Sequence, residues 1–272
     1  DFTGFEIQPT ARMTWLVNQN NTFWGAISRS VKVPSISDQD STFQPHIRDE
    51  GGIPIVINIA GNKSFNSEKL ISYELGYRSQ LSREIQLDIA TFFNDYDDLR
   101  TFEQKDIFFL QNPFRGVVPF EFDNKMKGHV YGLDLSANWY LNPWWRINAG
   151  YSYAETALRL KNTSTDTLSL TLPVFVNSPE QMLSLRSGWD VHKNWKIDLW
   201  MRYVDKLKST YIGAYVNMDA RVAWRANRNI ELSVIGQNLL DKQQLQFLRD
   251  TATKLYNSEV ERSVYFKIKL DF

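Results

Sequence analysis

The chain has 272 residues with 31 basic and 31 acidic side chains, so its formal net charge is zero. Nucleic-acid binding needs an excess of Lys and Arg to neutralise phosphates, and we therefore expect no nucleic-acid partner. Cysteine is absent, which excludes disulfides, thiolate metal sites and cysteine nucleophiles. No apolar run approaches the roughly 20 residues that a membrane helix requires.

The N-terminal part of the chain is predicted to form strands rather than a leader sequence. Residues 1–4 lack the basic start and apolar core of a signal peptide, so we expect a mature chain or a piece of a longer one. Two strand-like stretches, 5–17 and 22–31, are joined by a short polar turn. A long segment follows, from 32 to 67, and its inner apolar run 53–59 predicts an extra strand beyond the main sheet.

The rest of the chain alternates apolar and polar residues, the pattern of strands with one apolar and one wet face. The strands at 70–79 and 85–89 are followed by a polar region, 94–127, that we interpret as a long loop. Further strands follow at shorter intervals, with apolar faces that are clearest at Tyr131, Leu133, Leu135, Ala137, Trp139, Trp145, Ile147, Ala149, Tyr151, Tyr153, Leu183, Leu185, Trp195, Ile197, Leu199, Met201, Tyr203, Met218, Ala220, Val222 and Trp224.

The connections between these strands alternate between short turns and long loops, as they do in outer-membrane barrels. Five tryptophans lie next to short turns, and Tyr153 and Tyr203 lie at the opposite ends of their strands, which predicts one aromatic belt at each membrane interface. The tryptophans are Trp139, Trp145, Trp189, Trp195 and Trp224.

The last stretch of the chain alternates without a fault and ends on an aromatic residue. Its apolar positions are Val264, Phe266, Ile268, Leu270 and Phe272. A soluble sheet has no reason to end on a bare Phe, whereas the last strand of a membrane barrel closes at an interface that favours aromatics. We expect these five residues to form a barrel-assembly signal.

Together, these patterns predict an all-β fold: an antiparallel transmembrane β-barrel meander of about eleven strands. An odd number of strands would close with a parallel seam, and bacterial single-chain barrels have even numbers. We therefore interpret residues 1–272 as the C-terminal part of a single outer-membrane β-barrel domain, corresponding to half of a 22-stranded barrel.

Several motifs resemble those of TonB-dependent outer-membrane receptors. The stretch from Gly61 to Lys69, followed by Ser72-Tyr73-Glu74-Leu75-Gly76-Tyr77-Arg78, is similar to a family passage, although Lys63 and Ser67 stand where Pro is usual. Phe92 to Leu99, Gly236 to Asp241 and the terminal Phe272 resemble the following segments. The resemblance covers essentially the whole chain and identifies it as the C-terminal half of such a receptor.

The resemblance implies a function and a set of partners. It implies an integral protein of the Gram-negative outer membrane that takes up a scarce ligand, with a ferric siderophore first and cobalamin or a glycan as other ligands. Energy would come from the TonB complex through an N-terminal plug that is absent from these residues. Membrane lipid and the barrel assembly machinery would be the other partners, and no cofactor is expected.

Candidate ligand contacts come from the long connections and from the wet face of the sheet. Aromatics in long connections and one basic residue near the loop ends are the expected contacts: Phe43, His46, Phe108, Phe109, Arg202, Tyr211, Phe247 and Tyr256. For the loop aromatics, packing between loops is an equally good explanation. The other wet-face charges, which mix signs evenly, are expected to form a hydrated wall.

Catalysis is not expected, because no nucleophile elbow, paired carboxylates or metal-ligand spacing can be picked from the pattern. Two alternatives to the receptor remain open. One is a passive channel or adhesin barrel, which would lack an upstream plug. The other is a soluble carbohydrate-binding or hydrolytic β-protein, whose apolar faces would be buried.

Overall fold

The computed structural model describes residues 4–167, 178–207, 212–247 and 257–271, without the side chains of 45–48, 50 and 247. Its elements, in chain order, are β1 (Thr10–Asn18), β2 (Asn21–Lys32), α1 (Ile36–Gln39), β3 (Thr42–Glu50), β4 (Ile53–Ala60), β5 (Glu68–Gln80), β6 (Ile85–Gln104), β7 (Phe108–Gln111), β8 (Phe114–Asn142), β9 (Trp145–Leu160), β10 (Gln181–His192), β11 (Trp195–Val204), β12 (Tyr215–Arg225), β13 (Ile230–Gln237), β14 (Gln243–Phe247), β15 (Ser258–Glu261) and β16 (Ser263–Leu270). Within these ranges, no helix is long and apolar enough to cross a membrane.

The main sheet is an antiparallel meander, which confirms the predicted fold class. In the described part of the chain its path is β1-β2-β5-β6-β8-β9-β10-β11-β12-β13-β16, which is eleven strands. No pairing joins β1 to β16 within that part, so the sheet is open, as in a partial barrel. Short turns follow β1, β5, β8, β10 and β12, and the long connections follow the strands between them.

The two faces of the meander differ as the alternation predicts. On the apolar face, cross-strand pairs such as Leu135 with Ile89 and with Tyr151 continue from strand to strand. These side chains are not covered by a second layer, since Leu75 on β5 is 68% exposed. The polar face carries Asp88, Ser136 and their neighbours in the same register. The alternative of a soluble protein predicted buried apolar faces, whereas this face is exposed in the described residues.

The tryptophans cluster next to the short turns, as predicted. The rings of Trp145 and Trp189 stack at 6.3 Å, and those of Trp195 and Trp224 stack at 6.1 Å. Each pair is directly opposite in the register of neighbouring strands. Aromatic pairs at this spacing add to the stability of the sheet.

The long connections contain more strand than the sequence pattern predicts. The region 94–127 is not mainly loop, because β6 runs to Gln104 and β8 begins at Phe114. Bulges at Leu99 shift the period-two pattern of β6. Strict alternation of apolar and polar residues therefore does not predict the part of β6 beyond them. The predicted first strand is also shorter, because β1 begins at Thr10 rather than Phe5.

The extra strand predicted at 53–59 is present as β4, but it belongs to the main sheet through a side branch. It pairs with β3 and, in parallel, with the start of β8. The opposite edge of β8 pairs with β7, which gives the local order β3-β4-β8-β7. We call these four segments the strand head.

The apolar core of the structure lies in this strand head and the connections beside it. Ile59, Phe65, Phe120 and Phe122 are buried together, and Ile57, Phe102 and Val118 pack against them. The rings of Phe102 and Phe122 meet edge to face at 5.2 Å. This core anchors the long connections on the main sheet and fixes the position of their aromatic residues.

Candidate ligand-binding surface

The β7–β8 hairpin presents three exposed aromatic rings at the edge of the strand head. Phe108 and Phe109 are 46% and 53% exposed, and the ring of Phe109 stacks on Phe114 at 5.8 Å. Gly116 makes this arrangement possible, because a Cβ there would lie 2.6 Å from Ile55 Cδ1 and 3.3 Å from the Phe109 ring. Phe109 and Phe114 lie on one face of the hairpin, whereas Phe108, opposite Val117, projects from the other face. The stacked Phe109 and Phe114 rings therefore form a preorganised surface for flat or apolar ligand groups.

Phe43 lies on the face of the strand head that carries Phe109, and it is more closely packed than that ring. It is opposite Ile59 in the β3–β4 register, and Ile59 is opposite Phe120. Its ring lies 6.2 Å from that of Phe122, so one edge contacts the buried core. The other edge is exposed.

Buried polar contacts tie β6 to the connection that follows β9. Glu103 on β6 is 2% exposed, and it accepts hydrogen bonds from Ser164 Oγ at 2.7 Å and from the Thr165 amide at 2.6 Å. Burial by itself would raise the pKa of Glu103, but hydrogen bonds from Thr101, Thr165 and Ser164 outweigh it and hold the pKa below its usual range. The carboxylate is therefore charged at neutral pH.

A second set of polar contacts joins α1 to β6. Ser35 caps this short helix, and its amide donates to Asp38 Oδ2 at 2.8 Å. Arg100 on β6 reaches Asp38 Oδ1 at 3.1 Å, while its guanidinium lies 5.2 Å from the centroid of the Phe122 ring. Burial opposes the charge on Asp38, yet the contacts with Ser35 and Arg100 leave its pKa lowered. These contacts hold the long connection that follows β2 against β6.

Arg202 lies on the polar face of β11, near the long connections. Its guanidinium is 2.6 Å from Asp219 Oδ2 and 2.9 Å from Asn217 Oδ1 on β12. It also lies 4.2 Å from the centroid of the Trp200 ring. Two hydrogen-bonded partners and one ring fix the direction of this cation.

Trp200 is a candidate contact that the sequence interpretation missed. It shares the polar face with Asp198 and Arg202, and its Nε1 donates to Ser184 Oγ at 2.9 Å. A cleft of about 440 Å³ lies beside Trp200 and Arg202 and is lined also by Tyr215, Asn217, Asp219, Gln237 and Asn238. The sequence contained the signal for this placement. Trp200 is two residues from Asp198 and from Arg202, so in a strand it lies on their face and not on that of Leu199.

The predicted contacts occupy two separate regions. Phe43, Phe108 and Phe109 share the strand head, whereas Arg202 lies on β11. His46 is opposite Ile57 in β3 and Phe247 ends β14, and the side chains of both lie outside the described residues. Tyr211, Tyr256 and Phe272 also lie outside them. Within the described ranges, no group of His, Asp and Glu could hold a metal ion.

A family model described as "TonB dependent receptor-like, beta-barrel" matches residues 1–239. The chain belongs to the TonB-dependent receptor family. A curated relative of this family, the probable TonB-dependent siderophore receptor PiuA of Acinetobacter baumannii, is 23% identical over 195 residues. That match covers 67% of this chain and 24% of the relative's length.

Solved structures share the fold of this TonB-dependent receptor chain. The siderophore receptor PirA from Acinetobacter baumannii gives a TM-score of 0.74 at 16% identity, covering 100% of this chain and 42% of that one. A mutant of the ferric enterobactin receptor PfeA from Pseudomonas aeruginosa gives 0.72 at 15% identity, with 97% and 40% covered. The chain thus spans less than half the length of these receptors, and the similarity at this identity concerns the fold.

Proposed function

We propose that this chain is the C-terminal part of the barrel domain of an outer-membrane receptor that takes up a ferric siderophore. Family membership supports a receptor barrel. The siderophore receptors among its relatives and structural neighbours favour that ligand class over cobalamin or a glycan. Transport, rather than catalysis, is the activity that follows from this assignment.

The proposal places the apolar face of the meander against lipid of the Gram-negative outer membrane and the polar face toward a hydrated interior. TonB would supply energy through an N-terminal plug outside residues 1–272. The barrel assembly machinery would recognise the last strand, where Val264, Phe266, Ile268 and Leu270 form an exposed apolar row. Phe272 completes this proposed signal.

The exposed aromatic rings of the strand head carry the ligand proposal. Phe108 and Phe109 project from opposite faces of β7, which pairs with β8, and β4 pairs with the other edge of β8. Aromatic and chelating groups of a siderophore would stack on such rings with little loss of side-chain conformational entropy, because the hairpin already holds the rings in place. Phe43, His46, Tyr211, Phe247 and Tyr256 are the further proposed contacts in the long connections.

Arg202 is the proposed contact deeper in the interior. A guanidinium recognises anionic oxygens of an iron chelate, and the stacked Trp200 offers an adjacent ring face. Because Asp219 already pairs with Arg202, an incoming anion would compete with this carboxylate. This arrangement favours transient contact over tight binding, which suits a residue on a transport route.

The test uses the full-length receptor that contains this chain, with ferric enterobactin as the first probe. Phe108→Ala/Phe109→Ala should weaken binding about tenfold or more, because the variant removes an exposed ring from each face of the hairpin. Trp144→Ala is the matched control, since this ring is 50% exposed beside a short turn. Unchanged affinity for every ferric siderophore tried, or uptake that continues without TonB, would contradict the proposal.

A further inference from the structure

Asn238 lies between the end of β13 and the β14–β15 hairpin. It is 1% exposed, and its φ of +50° lies in the left-handed region, which Asn tolerates better than most residues with a side chain. Its backbone amide donates to Asp219 Oδ1 at 3.0 Å. Its Oδ1 accepts from Asn217 Nδ2 at 3.1 Å, and its Nδ2 donates to the Val260 carbonyl oxygen at 2.8 Å. Asn238 therefore joins two residues of β12 to one residue of β15.

Both β12 partners of Asn238 are also partners of Arg202. Asp219 accepts from Arg202 through Oδ2 at 2.6 Å and from the Asn238 amide through Oδ1. Asn217 accepts from Arg202 through Oδ1 at 2.9 Å and donates to Asn238 through Nδ2. Two parallel connections therefore join the guanidinium to Asn238, and each uses both polar atoms of one side chain. A change at Arg202 thus alters the groups that hold Asn238.

The β14–β15 hairpin forms one wall of the cleft of about 440 Å³ beside Trp200 and Arg202. Gln246 on β14 and Val260 on β15 line this cleft. In the described part of the chain, the hairpin is a two-stranded sheet that is separate from the main sheet. Its position relative to the cleft therefore depends on the chain connections to β13 and β16 and on contacts such as that between Asn238 Nδ2 and the Val260 carbonyl.

We propose that Asn238 is a positioning residue that couples the cleft at Arg202 to the β14–β15 hairpin. The inference rests on Arg202 as a ligand contact in the proposed function. An anionic ligand oxygen that binds the guanidinium competes with Asp219 Oδ2, and repulsion between the two anions moves the carboxylate. The contact between Asp219 and the Asn238 amide then weakens, and with it the support of the hairpin at Val260. A ligand at Arg202 thereby opens one wall of its own cleft.

The test uses the full-length receptor and limited trypsin cleavage at Lys242 and Arg262, which border the hairpin and share a backbone hydrogen bond of 3.1 Å. Asn238→Gly tolerates the left-handed backbone and keeps the amide but removes the contact with Val260, so cleavage at both sites should rise about fivefold. Asn227→Gly makes the same change in the short turn between β12 and β13 and should leave cleavage as in the parent. Equal cleavage of the parent and Asn238→Gly would overturn the proposal.

Saturating ferric enterobactin should raise cleavage at the same two sites in the parent about fivefold and should add nothing in Asn238→Gly, whose hairpin is already released. Because coupling between two equilibria is reciprocal, Asn238→Gly should also bind ferric enterobactin more tightly than the parent, by about the same factor. A residue with only a structural role would weaken binding or leave it unchanged. Ferric enterobactin that binds the parent without changing its cleavage would contradict the coupling.

Arg202→Gln tests the connection without a ligand, so this inference and the proposed function fail separately. Loss of the guanidinium frees Asp219 and Asn217 and should raise cleavage at the two sites. Arg202→Gln/Asn238→Gly should show no more cleavage than Asn238→Gly alone, because both residues act on one hairpin contact. Additive increases would show that they act independently, against the proposal. A receptor that binds no ferric siderophore but keeps this non-additive pattern would contradict the proposed function alone.

Discussion

The carboxylate of Asp198 on β11 lies 3.0 Å from the guanidinium of Arg221 on β12. Arg146 on β9 and Arg186 on β10 approach the same carboxylate at 3.6 and 3.8 Å. Arg221 also pairs with Glu231 on β13. One network of charges therefore connects five consecutive strands on the polar face, and Asp198 is its centre.

Asp198→Asn should lower the free energy of unfolding by about 1 to 3 kcal/mol, because three guanidinium groups lose a largely buried counter-charge. Asp134→Asn is the control, since this carboxylate is exposed on the same face and has no ion-pair partner in the described ranges. Its effect should stay within about 0.5 kcal/mol. Urea unfolding in lipid vesicles measures both, and equal losses would argue against Asp198 as the network's centre.

Leu135→Arg should destabilise the folded barrel by about 2 to 4 kcal/mol, because Leu135 lies midway between Tyr131 and Trp139 on the face assigned to hydrocarbon. Ser136→Arg places the same side chain on the polar face one residue along β8. There the guanidinium stays hydrated, and the effect should be small. Folding yield into vesicles distinguishes the two variants, and a more damaging Ser136→Arg would show that the faces are exchanged.

Gly128→Ala should disturb the pairing of β8 with β9, because the added Cβ would lie 2.1 Å from the Ala157 carbonyl oxygen and 2.7 Å from Leu158 Cα. Backbone atoms cannot move aside as a side chain can, so we expect a loss of about 1 to 3 kcal/mol. At Gly150 the nearest atom would be 3.9 Å away, so Gly150→Ala is the control. Thermal unfolding followed by gel mobility should separate them; the same melting temperature for both would refute the steric argument.

The attachment of the connection after β9 to β6 should depend on pH through Glu103. The folded-state pKa of this group lies below its usual value of 4.5. Its contribution is therefore complete above about pH 4.5 and is lost as the pH falls through the lowered pKa. In the parent, protease protection of residues 161–167 should decrease over this acidic range, because protonated Glu103 binds Ser164 and Thr165 less strongly.

Glu103→Gln should reduce protection at neutral pH and remove its dependence on acidic pH. Glu121 provides the control, since it is directly opposite Glu103 in the β6–β8 register but much more exposed. Glu121→Gln should keep the acidic transition of the parent. Limited proteolysis across pH with mass spectrometry measures these profiles, and a transition that persists in Glu103→Gln would assign it to another group.

The sequence could predict the meander because its physical cause is local. In a strand with one face toward an apolar phase and the other toward water, apolar and polar side chains must alternate. Leu133, Asp134 and Leu135 show this alternation in the sequence. The alternation of short turns and long connections and the tryptophan positions follow from the same constraint. The resemblance of several motifs to one family rests on these same strands.

The strand head could not be predicted in this way. The bulges at Leu99 interrupt the period of β6, and β4 joins β8 in parallel across a long separation in sequence. Among the predicted ligand contacts, the structure brings Phe43, Phe108 and Phe109 into one head and places Arg202 beside Trp200 on β11. The alternation of apolar and polar residues predicts the face on which each side chain lies. It does not predict which side chains of other strands lie near it.

The sequence by itself determined that the main sheet is built of alternating strands and which face each of their side chains takes, because both depend on neighbours one or two residues away. Tertiary structure alone decided which charges meet at Asp198 and which rings stay exposed on β7. These relationships depend on register between strands and on bulges. Both are set by packing over the whole sheet.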